Sequence, residues 1–329
     1  MRRICYIFRE KEKNETSIEL VFDAVSGEVE KRGYTIFKWY KPVSWKRTFR
    51  EIWRLRKEKF DVYHITGDVN YLWLFLPWKR TTMTIHDIGM YKNNPKTMKR
   101  RLFVFLSFVL AAKFLKKITC VSELTKGDLI NILGIDPAKI EVITNPLVLD
   151  MTPVAKDFNE NCPVILQIGT GWHKNLDTLI ESVAGLQCHL EIIGRPQAEL
   201  IRRMEELGVK YNISSGLSDS EVVEKYRQCD ILFFVSRSEG FGLPILEAQT
   251  MGRPVLTSNE EPTRTVAEKG ALLYAPEDVS GIRDGIIRLC QDKELRTRLV
   301  QEGFRNVKKY GRSHVGRLYE DFYKKYMGL

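Results

Sequence analysis

The chain has 329 residues, of which 43% are hydrophobic and 29% charged, a composition that excludes a disordered or fibrous protein. This length favours two domains over a single core. The formal net charge of +10 is uneven, because residues 1–150 carry 28 basic and 17 acidic side chains whereas the remainder has a net charge of −1. We therefore expect the first half to meet an anionic partner.

Both halves alternate short β-branched runs with longer amphipathic segments, the pattern of parallel sheets covered by helices. In the first half, strands are predicted at 3–8, 34–40, 61–66, 81–87, 117–122 and 141–145. Helices are predicted around 16–32, 46–59, 96–116 and 123–133. Residues 145–162 contain proline and have weak periodicity, so they are interpreted as a linker.

The second half repeats the alternation. Its strands are predicted at 163–169, 189–194, 210–215, 231–236, 254–259 and 271–276. Its helices are predicted near 175–185, 198–207, 218–228, 243–251, 278–291 and 294–309. Two such domains would present the carboxyl ends of their sheets to a ligand.

Compartment signals point to the cytoplasm. The six cysteines are scattered singly, without a CxxC pair or a metal-binding spacing, which is typical of a reduced protein. The opening MRRICYIF is typical of a strand and not of a signal peptide. The longest apolar run, residues 102–112, is too short to span a bilayer. We expect a cytoplasmic protein with no metal ion.

Between strand 231–236 and helix 243–251 lies the string EGFGLPILE, which places Glu239 and Glu247 on either side of a glycine-containing loop. Pro244 would occupy the first helical turn, where its missing N–H costs nothing. Neighbouring N–H groups would then be available to phosphate or sugar oxygens. A carboxylate can accept two vicinal hydroxyls of a ribose or hexose. Either glutamate alone is also explained by a helix dipole or a turn, so the complete string carries the argument.

This string resembles the E-x7-E region of the retaining GT-B glycosyltransferases of glycosyltransferase family 4 (glycosyl transferases group 1). The resemblance includes the G-R-P-V at 252–255. It implies an α/β fold of GT-B type, with two Rossmann-like doubly wound domains facing across a cleft. It also implies that Glu239 contacts the transferred sugar and that Glu247 binds the ribose of the donor. Backbone contacts to the sugar and phosphate would come from Gly240, Phe241, Gly242 and Leu243.

A second match is ILQIGTGWHKN, in which a strand ends at Gly169 and Lys174 opens a helix. A lysine at a glycine-rich helix entrance can neutralise a diphosphate leaving group. The resemblance implies a catalytic role for Lys174 and donor contacts from Gly169 and Thr170. Family members usually have an arginine where this chain has Thr170 or His173. Lys174, alone or with Arg237 or His173, would then balance the charge of the leaving group.

In the first half, TTMTIHDIG ends a predicted strand with His86. An isolated histidine is more often structural, but family members place one here near the anomeric carbon, so the resemblance implies a catalytic His86. The resemblance continues through residues 118–147, where Ser122 is interpreted mainly as a helix N-cap. The loop after the first strand departs from the family because it has no glycine between Phe8 and Gly27. The candidate acceptor contacts there are Arg9, Asn14 and Ser17.

Basic clusters at 96–101 and 113–117 flank an apolar segment that has two interpretations. It is either a membrane-surface helix that binds anionic lipid or a core helix with charged ends. Further basic residues favour a membrane face: Lys46, Arg47, Arg50, Arg54, Arg56, Lys57 and Lys59. No nucleic-acid partner is expected, since no recognisable binding module accompanies the charge.

The sequence thus predicts an acceptor-side domain at 1–150, with helix 312–329 packed back on it, and a nucleotide-sugar-binding domain at 151–311. The expected activity is retaining transfer of a hexosyl group from a nucleoside-diphosphate sugar, without a metal cofactor. The acceptor would be a hydroxyl of a glycan or a lipid-linked sugar in polysaccharide biosynthesis, with the protein peripheral at the inner membrane face. The alternatives are a sugar epimerase or phosphorylase on the same fold and a non-catalytic nucleotide-sugar or lipid-surface binding protein. Turnover of a donor sugar distinguishes the transferase from a binding protein.

Overall fold

The computed structural model describes residues 2–10, 17–88 and 97–328. The chain divides into two compact units. Unit 1 consists of residues 1–148 and 310–329, and unit 2 consists of residues 149–309. Each unit has a six-stranded sheet with parallel neighbours, which confirms the predicted α/β class.

The sheet of unit 1 has the strand order β2-β1-β3-β4-β5-β6. Its strands are β1 Arg2–Phe8, β2 Tyr34–Tyr40, β3 Val62–Ile65, β4 Thr81–Ile85, β5 Ile118–Cys120 and β6 Ile140–Val142. All six were predicted, because fully buried parallel strands appear in sequence as short, nearly continuous apolar or β-branched runs. Every residue of β3, β4 and β5 is buried.

Helices connect these strands. They are α1 Ser17–Glu30, α2 Trp45–Lys57, α3 Met98–Val104, α4 Leu110–Phe114 and α5 Glu123–Asn131. The predicted helix 96–116 is interrupted at Phe105–Val109 by a wider, π-helical turn. The indole Nε1 of Trp73 donates to the carbonyl of Leu106 in this turn at 2.8 Å. Residue 96 lies outside the described residues.

The sheet of unit 2 has the strand order β12-β11-β10-β7-β8-β9, which is the doubly wound 3-2-1-4-5-6 arrangement. Its strands are β7 Val164–Ile168, β8 His189–Ile193, β9 Lys210–Ser214, β10 Ile231–Phe234, β11 Val255–Ser258 and β12 Leu272–Tyr274. Its helices are α6 Leu176–Val183, α7 Ala198–Glu206, α8 Asp219–Gln228, α9 Leu243–Met251, α10 Thr263–Ala267, α11 Val279–Gln291 and α12 Lys293–Val307. Only the short α10 among these was not predicted.

Side-chain caps define where several of these helices begin. Ser218 and Glu221 form a capping box at the start of α8. Asp278 and Asp292 cap α11 and α12 by accepting hydrogen bonds from backbone N–H groups three residues ahead. The helices that flank the sheet of unit 2 therefore begin at positions that the sequence specifies locally.

The C-terminal helix α13, Arg312–Phe322, belongs to unit 1 and packs on α1. Gly316 lets the two helices approach closely, since a Cβ there would lie 2.4 Å from Cβ of Glu28. Beyond α13, the hydroxyl of Tyr323 lies 2.7 Å from Nδ1 of the fully buried His64 on β3. The aromatic spacing of the tail therefore reflects core packing.

Candidate active site

The candidate site in unit 2 lies where the strand order reverses. β7 and β10 are hydrogen-bonded neighbours, yet the chain proceeds from β7 to one side of the sheet and from β10 to the other. The loops that follow these two strands therefore diverge and leave a crevice at their carboxyl ends, the usual ligand position in such sheets. The first loop comprises residues 169–175 and the second comprises residues 235–242.

Each of these loops contributes one predicted catalytic side chain, and the two form an ion pair. Nζ of Lys174 donates to Oε1 of Glu239 at 2.7 Å. The side chains are only 19% and 12% exposed, and Nζ also lies 4.7 Å from the ring centroid of Phe234. The structure thus unites residues that the sequence placed in separate motifs.

Gly169 leaves space for the side chain of Lys174 to pass across it. Its φ of +87° favours glycine, and a Cβ there would lie 2.9 Å from Cγ of Lys174. The side-chain amide of Gln167 donates to the carbonyls of Gly169 and Lys174, each at 3.0 Å. Beside them, Oγ1 of Thr170 accepts from the backbone N–H of Arg195 at 3.1 Å. The loop therefore holds the lysine in a defined direction before any ligand binds.

Asn175 joins the two loops, a role that the sequence did not reveal. The residue is fully buried and has a left-handed conformation, with φ of 62°, which asparagine tolerates better than most residues. Its side-chain amide donates to the carbonyl of Val235 at 2.8 Å and to that of Pro276 at 2.7 Å. The start of α6 is thereby tied to the end of β10.

Arg237 reinforces the same junction. Its guanidinium makes a bidentate pair with Asp177, at 2.9 and 2.8 Å, and its backbone N–H donates to the carbonyl of His173. The pKa of Asp177 is lowered by this hydrogen bond even though burial acts in the opposite direction. Arg237 is thus already bound to a carboxylate beside the position where we expected it to assist Lys174.

The helix α9 carries the second glutamate of the motif. It begins after Gly242, contains Pro244 in its first turn and ends at Gly252 in a left-handed cap, as predicted. Glu247 is 8% exposed, and its Oε2 accepts a hydrogen bond from the hydroxyl of Tyr226 at 2.6 Å. Burial raises the pKa of Glu247 to about 7, against the lowering effect of that hydrogen bond. No motif or pattern in the sequence pointed to Tyr226.

In unit 1 the strand order reverses between β1 and β3. Arg9 follows β1, and its guanidinium bridges Glu19 at 3.0 Å and Asp68, which follows β3, at 2.7 Å. This predicted acceptor residue therefore lies at the ligand-binding edge of its sheet. Asn14 lies outside the described residues. Ser17 begins α1, and its side chain is not described.

His86 follows β4 at the same edge of that sheet. Its Nε2–H donates to the carbonyl of Thr66 at 2.8 Å, which leaves Nδ1 as the acceptor in the neutral ring. Burial lowers the pKa of His86, so the ring is neutral near pH 7. The hydroxyl of Ser122 accepts from the N–H of Thr125 at 3.1 Å, which confirms Ser122 as an N-cap.

The described residues lack two further features. Nowhere in ranges 2–10, 17–88 and 97–328 do three or more histidine, cysteine, aspartate or glutamate side chains cluster so as to hold a metal ion. Within the same ranges, no helix is long and apolar enough to cross a membrane.

The two six-stranded parallel sheets of the chain are those of the GT-B fold of glycosyltransferases. A family model described as glycosyl transferases group 1 matches residues 152–306, and one described as glycosyltransferase family 4 matches residues 9–150. The chain belongs to glycosyltransferase family 4.

Individual proteins resemble the chain to different extents. It is 29% identical to the O-antigen chain mannosyltransferase RfbU of Salmonella typhimurium, over 65% of this chain and 62% of that protein, slightly under two thirds of its length. It is 25% identical to O-antigen chain mannosyltransferase B of Escherichia coli, over 79% and 73% of the two chains. The crystal structure of Anabaena HepE in complex with UDP and glucose matches with a TM-score of 0.75 and 14% identity, over 97% of this chain and 99% of that one. At that identity the match shows the fold alone.

Proposed function

We propose that the protein transfers a hexosyl group, with retention of configuration, from a nucleoside-diphosphate sugar to a hydroxyl of a glycan or lipid-linked acceptor. The observation that carries the proposal is the pairing of Lys174 with Glu239 at the strand reversal of unit 2, beside the N-terminus of α9. This arrangement offers a cation and helix N–H groups to a diphosphate, and carboxylates to sugar hydroxyls. Membership of the family and the crystallised UDP and glucose complex of HepE support it.

In the proposed reaction the bond from the anomeric carbon to the β-phosphate oxygen breaks. Lys174 and the N-terminus of α9 stabilise the charge that develops on the diphosphate. The oxygen of the acceptor bonds to the anomeric carbon on the same face, and its proton passes to the departing phosphate oxygen. Glu239 and His86 orient the sugar, and Glu247 accepts the ribose hydroxyls. The positive charge of Lys174 makes a metal ion unnecessary in this scheme.

The acceptor class is inferred from the relatives. RfbU and mannosyltransferase B are both named as O-antigen chain mannosyltransferases, so each builds a glycan. We therefore assign a growing bacterial polysaccharide as the acceptor. The transferred hexose and the base of the nucleotide are to be identified by the panel of donor sugars described below.

We also propose that unit 1 contacts an anionic membrane surface through α2. Three aromatic side chains, Trp45, Phe49 and Trp53, recur every four residues along one side of this helix and are 45–58% exposed. Six cations share the helix: Lys46, Arg47, Arg50, Arg54, Arg56 and Lys57. Exposed aromatic rings and adjacent basic groups are what an interfacial helix presents to anionic lipid.

The apolar segment 102–112, which lies between the two basic clusters, has one buried face and one exposed face. Val104, Phe108 and Ala111 are buried in the core of unit 1, whereas Leu102 and Phe105 are 55% and 47% exposed. The core interpretation therefore accounts for one face of this segment. The exposed face adds apolar surface to unit 1, and α2 supplies the more regular arrangement of rings and cations.

A panel of UDP-, GDP- and ADP-sugars tests the transferase. Release of nucleoside diphosphate would be followed by chromatography, with and without a lipid extract and with EDTA, and Glu239→Ala would serve as the inactive control. Release from one donor, lost in the variant and unchanged by EDTA, is expected. If the protein bound a nucleotide but released no nucleoside diphosphate from any donor sugar, the non-catalytic alternative would be favoured. Thr170, which stands where family members usually have an arginine, would then be the first residue to examine.

Co-sedimentation with vesicles tests the membrane contact. Phosphatidylglycerol-containing vesicles should retain the protein and pure phosphatidylcholine vesicles should not, since each basic residue near an anionic surface contributes about 1 kcal/mol. Replacing Trp45, Phe49 and Trp53 by serine should abolish retention. Ile213→Ser removes a similarly exposed apolar side chain from unit 2 and should have no effect. Equal retention of both variants would refute the role of α2.

A further inference from the structure

Tyr226 on α8 contacts Glu247, and the proposed reaction assigns no role to this tyrosine. Its side chain is fully buried, and its hydroxyl donates to Oε2 of Glu247 at 2.6 Å. This short hydrogen bond joins a phenol to a carboxylate, and such charge-assisted bonds are stronger than neutral ones. Because Glu247 is itself nearly enclosed, one of its two oxygens has a fixed neighbour before any ligand enters.

Arg253 holds the helix that carries Tyr226. Its Nε donates to the carbonyl of Tyr226 at 3.0 Å and its Nη2 to the carbonyl of Arg227 at 2.8 Å. These carbonyls belong to the last turn of α8, where a cation is favourably placed. Arg253 directly follows the glycine that ends α9, the helix of Glu247. One buried arginine therefore connects the two helices whose side chains meet at Glu247.

We propose that Tyr226 is a positioning residue for recognition of the donor's ribose. By holding Oε2 of Glu247, it orients the carboxylate so that Oε1 is presented to the vicinal hydroxyls. This inference rests on the proposed function, because it assigns the ribose to Glu247. A carboxylate free to rotate would have to be ordered when the nucleotide binds, and a fixed one avoids that loss of entropy.

The same contact sets the charge of the site. Tyr226 and Asp219, both on α8, act on the carboxyl of Glu247. The hydrogen bond from Tyr226 lowers the pKa of Glu247, whereas burial and Asp219 raise it. Removing the hydroxyl should therefore move the loss of nucleotide binding on acidification to higher pH. A purely structural role of Tyr226 would not produce this shift.

Tyr226→Phe tests the assignment. Dissociation constants for UDP, GDP and ADP would be measured by calorimetry between pH 5.5 and 8.5 for the wild type and the variant, and repeated with the 2′,3′-dideoxy form of the nucleotide that binds. We expect about tenfold weaker binding of the ribonucleotide, because loss of one hydrogen bond to a charged group has that scale. Binding of the dideoxy form should change much less, and the acidic limb of the ribonucleotide profile should move to higher pH.

Controls separate positioning from general damage. Tyr211→Phe removes a hydroxyl that lies 3.5 Å from the carboxylate of Glu205 on the surface of the same unit, and it should bind like the wild type. In a Glu247→Gln background, Tyr226→Phe should have no further effect on binding. Equal weakening for ribo- and dideoxynucleotides, or no weakening, would overturn the assignment. If the wild type binds none of the three nucleotides, the proposed function fails first and this inference fails with it.

Discussion

The ammonium group of Lys174 lies 2.7 Å from a carboxylate oxygen of Glu239, although 65 residues separate them in the chain. In this unliganded arrangement each side chain neutralises the other. A diphosphate that enters the site would compete with Glu239 for the lysine, and the freed carboxylate would become available to hydroxyls of the sugar. In the proposed reaction the pair would therefore couple recognition of the leaving group to recognition of the sugar.

Replacing Lys174 by methionine should slow donor turnover roughly 100- to 1,000-fold, the usual effect of removing one charge-stabilising group from a site. The measurement is the rate of nucleoside-diphosphate release at saturating donor. Lys225→Met is a matched control, because Lys225 forms a similarly enclosed pair with Glu191 at 2.8 Å. Both variants should lose a similar amount of stability, because each leaves an enclosed glutamate without its cation. An equal loss of turnover in both would show that Lys174 acts only through stability.

Gly169→Ala should impair turnover through Lys174. The substitution incurs the left-handed backbone cost of about 1 kcal/mol and also places a methyl group 2.9 Å from Cγ of the lysine. Gly208→Ala incurs a similar backbone cost at φ of +62°, but no atom lies within 4 Å of its new methyl group. Urea unfolding should show that the two variants are destabilised by similar amounts. Turnover of the donor should be impaired in Gly169→Ala and normal in Gly208→Ala. Normal turnover in Gly169→Ala would contradict the proposed constraint.

The parts of the site that could be predicted are those in which adjacent residues carry the whole signal. EGFGLPILE contains its own proline, glycines and glutamates, so the position and length of α9 followed from local chemistry. The ion pair of Lys174 with Glu239 depends instead on β7 and β10 being neighbours, and strand order is a property of the complete sheet.

The supporting contacts were beyond prediction for a related reason. Asn175 binds the carbonyls of Val235 and Pro276, which are distant in the chain and are brought to it only by folding. Arg237 was considered as a partner of the diphosphate, but Asp177, in the first turn of α6, is close enough to bind it. Long-range polar pairing has no periodicity in the chain, so hydrophobic patterns do not reveal it.

Glu247 should make the stability of unit 2 fall as pH rises towards 8. Its pKa of about 7 in the folded protein exceeds its ordinary value of 4.5, so the folded state binds the proton more tightly than the unfolded state. The resulting stabilisation is complete below about pH 4.5 and is lost as pH rises through 7. A shift of this size corresponds to on the order of 3 kcal/mol.

This contribution of Glu247 to stability can be measured by urea unfolding of the wild type and Glu247→Gln from pH 4 to 8.5, followed by circular dichroism. The variant keeps the shape of the side chain without the charge, so it should gain stability relative to the wild type as pH rises. Glu181→Gln gives the opposite contrast, because pairing with Arg203 lowers the pKa of Glu181. Its carboxyl adds stability that is lost only as pH falls below about 4.5. If the difference in free energy of unfolding between the wild type and Glu247→Gln did not change with pH, the raised pKa of Glu247 would be refuted.

Tyr323→Phe should destabilise unit 1 by about 1–3 kcal/mol, the cost of leaving buried polar groups without a partner. The Tyr323 hydroxyl lies 2.7 Å from Nδ1 of His64 and 3.1 Å from the hydroxyl of Tyr6, and all three side chains are buried. Tryptophan fluorescence is a suitable probe, since five of the six tryptophans belong to unit 1. Tyr326→Phe is the control, because its hydroxyl donates to Glu141 in a partly exposed position. Equal stability of the two variants would mean that the C-terminal segment is held by α13 alone and not by its contact with His64.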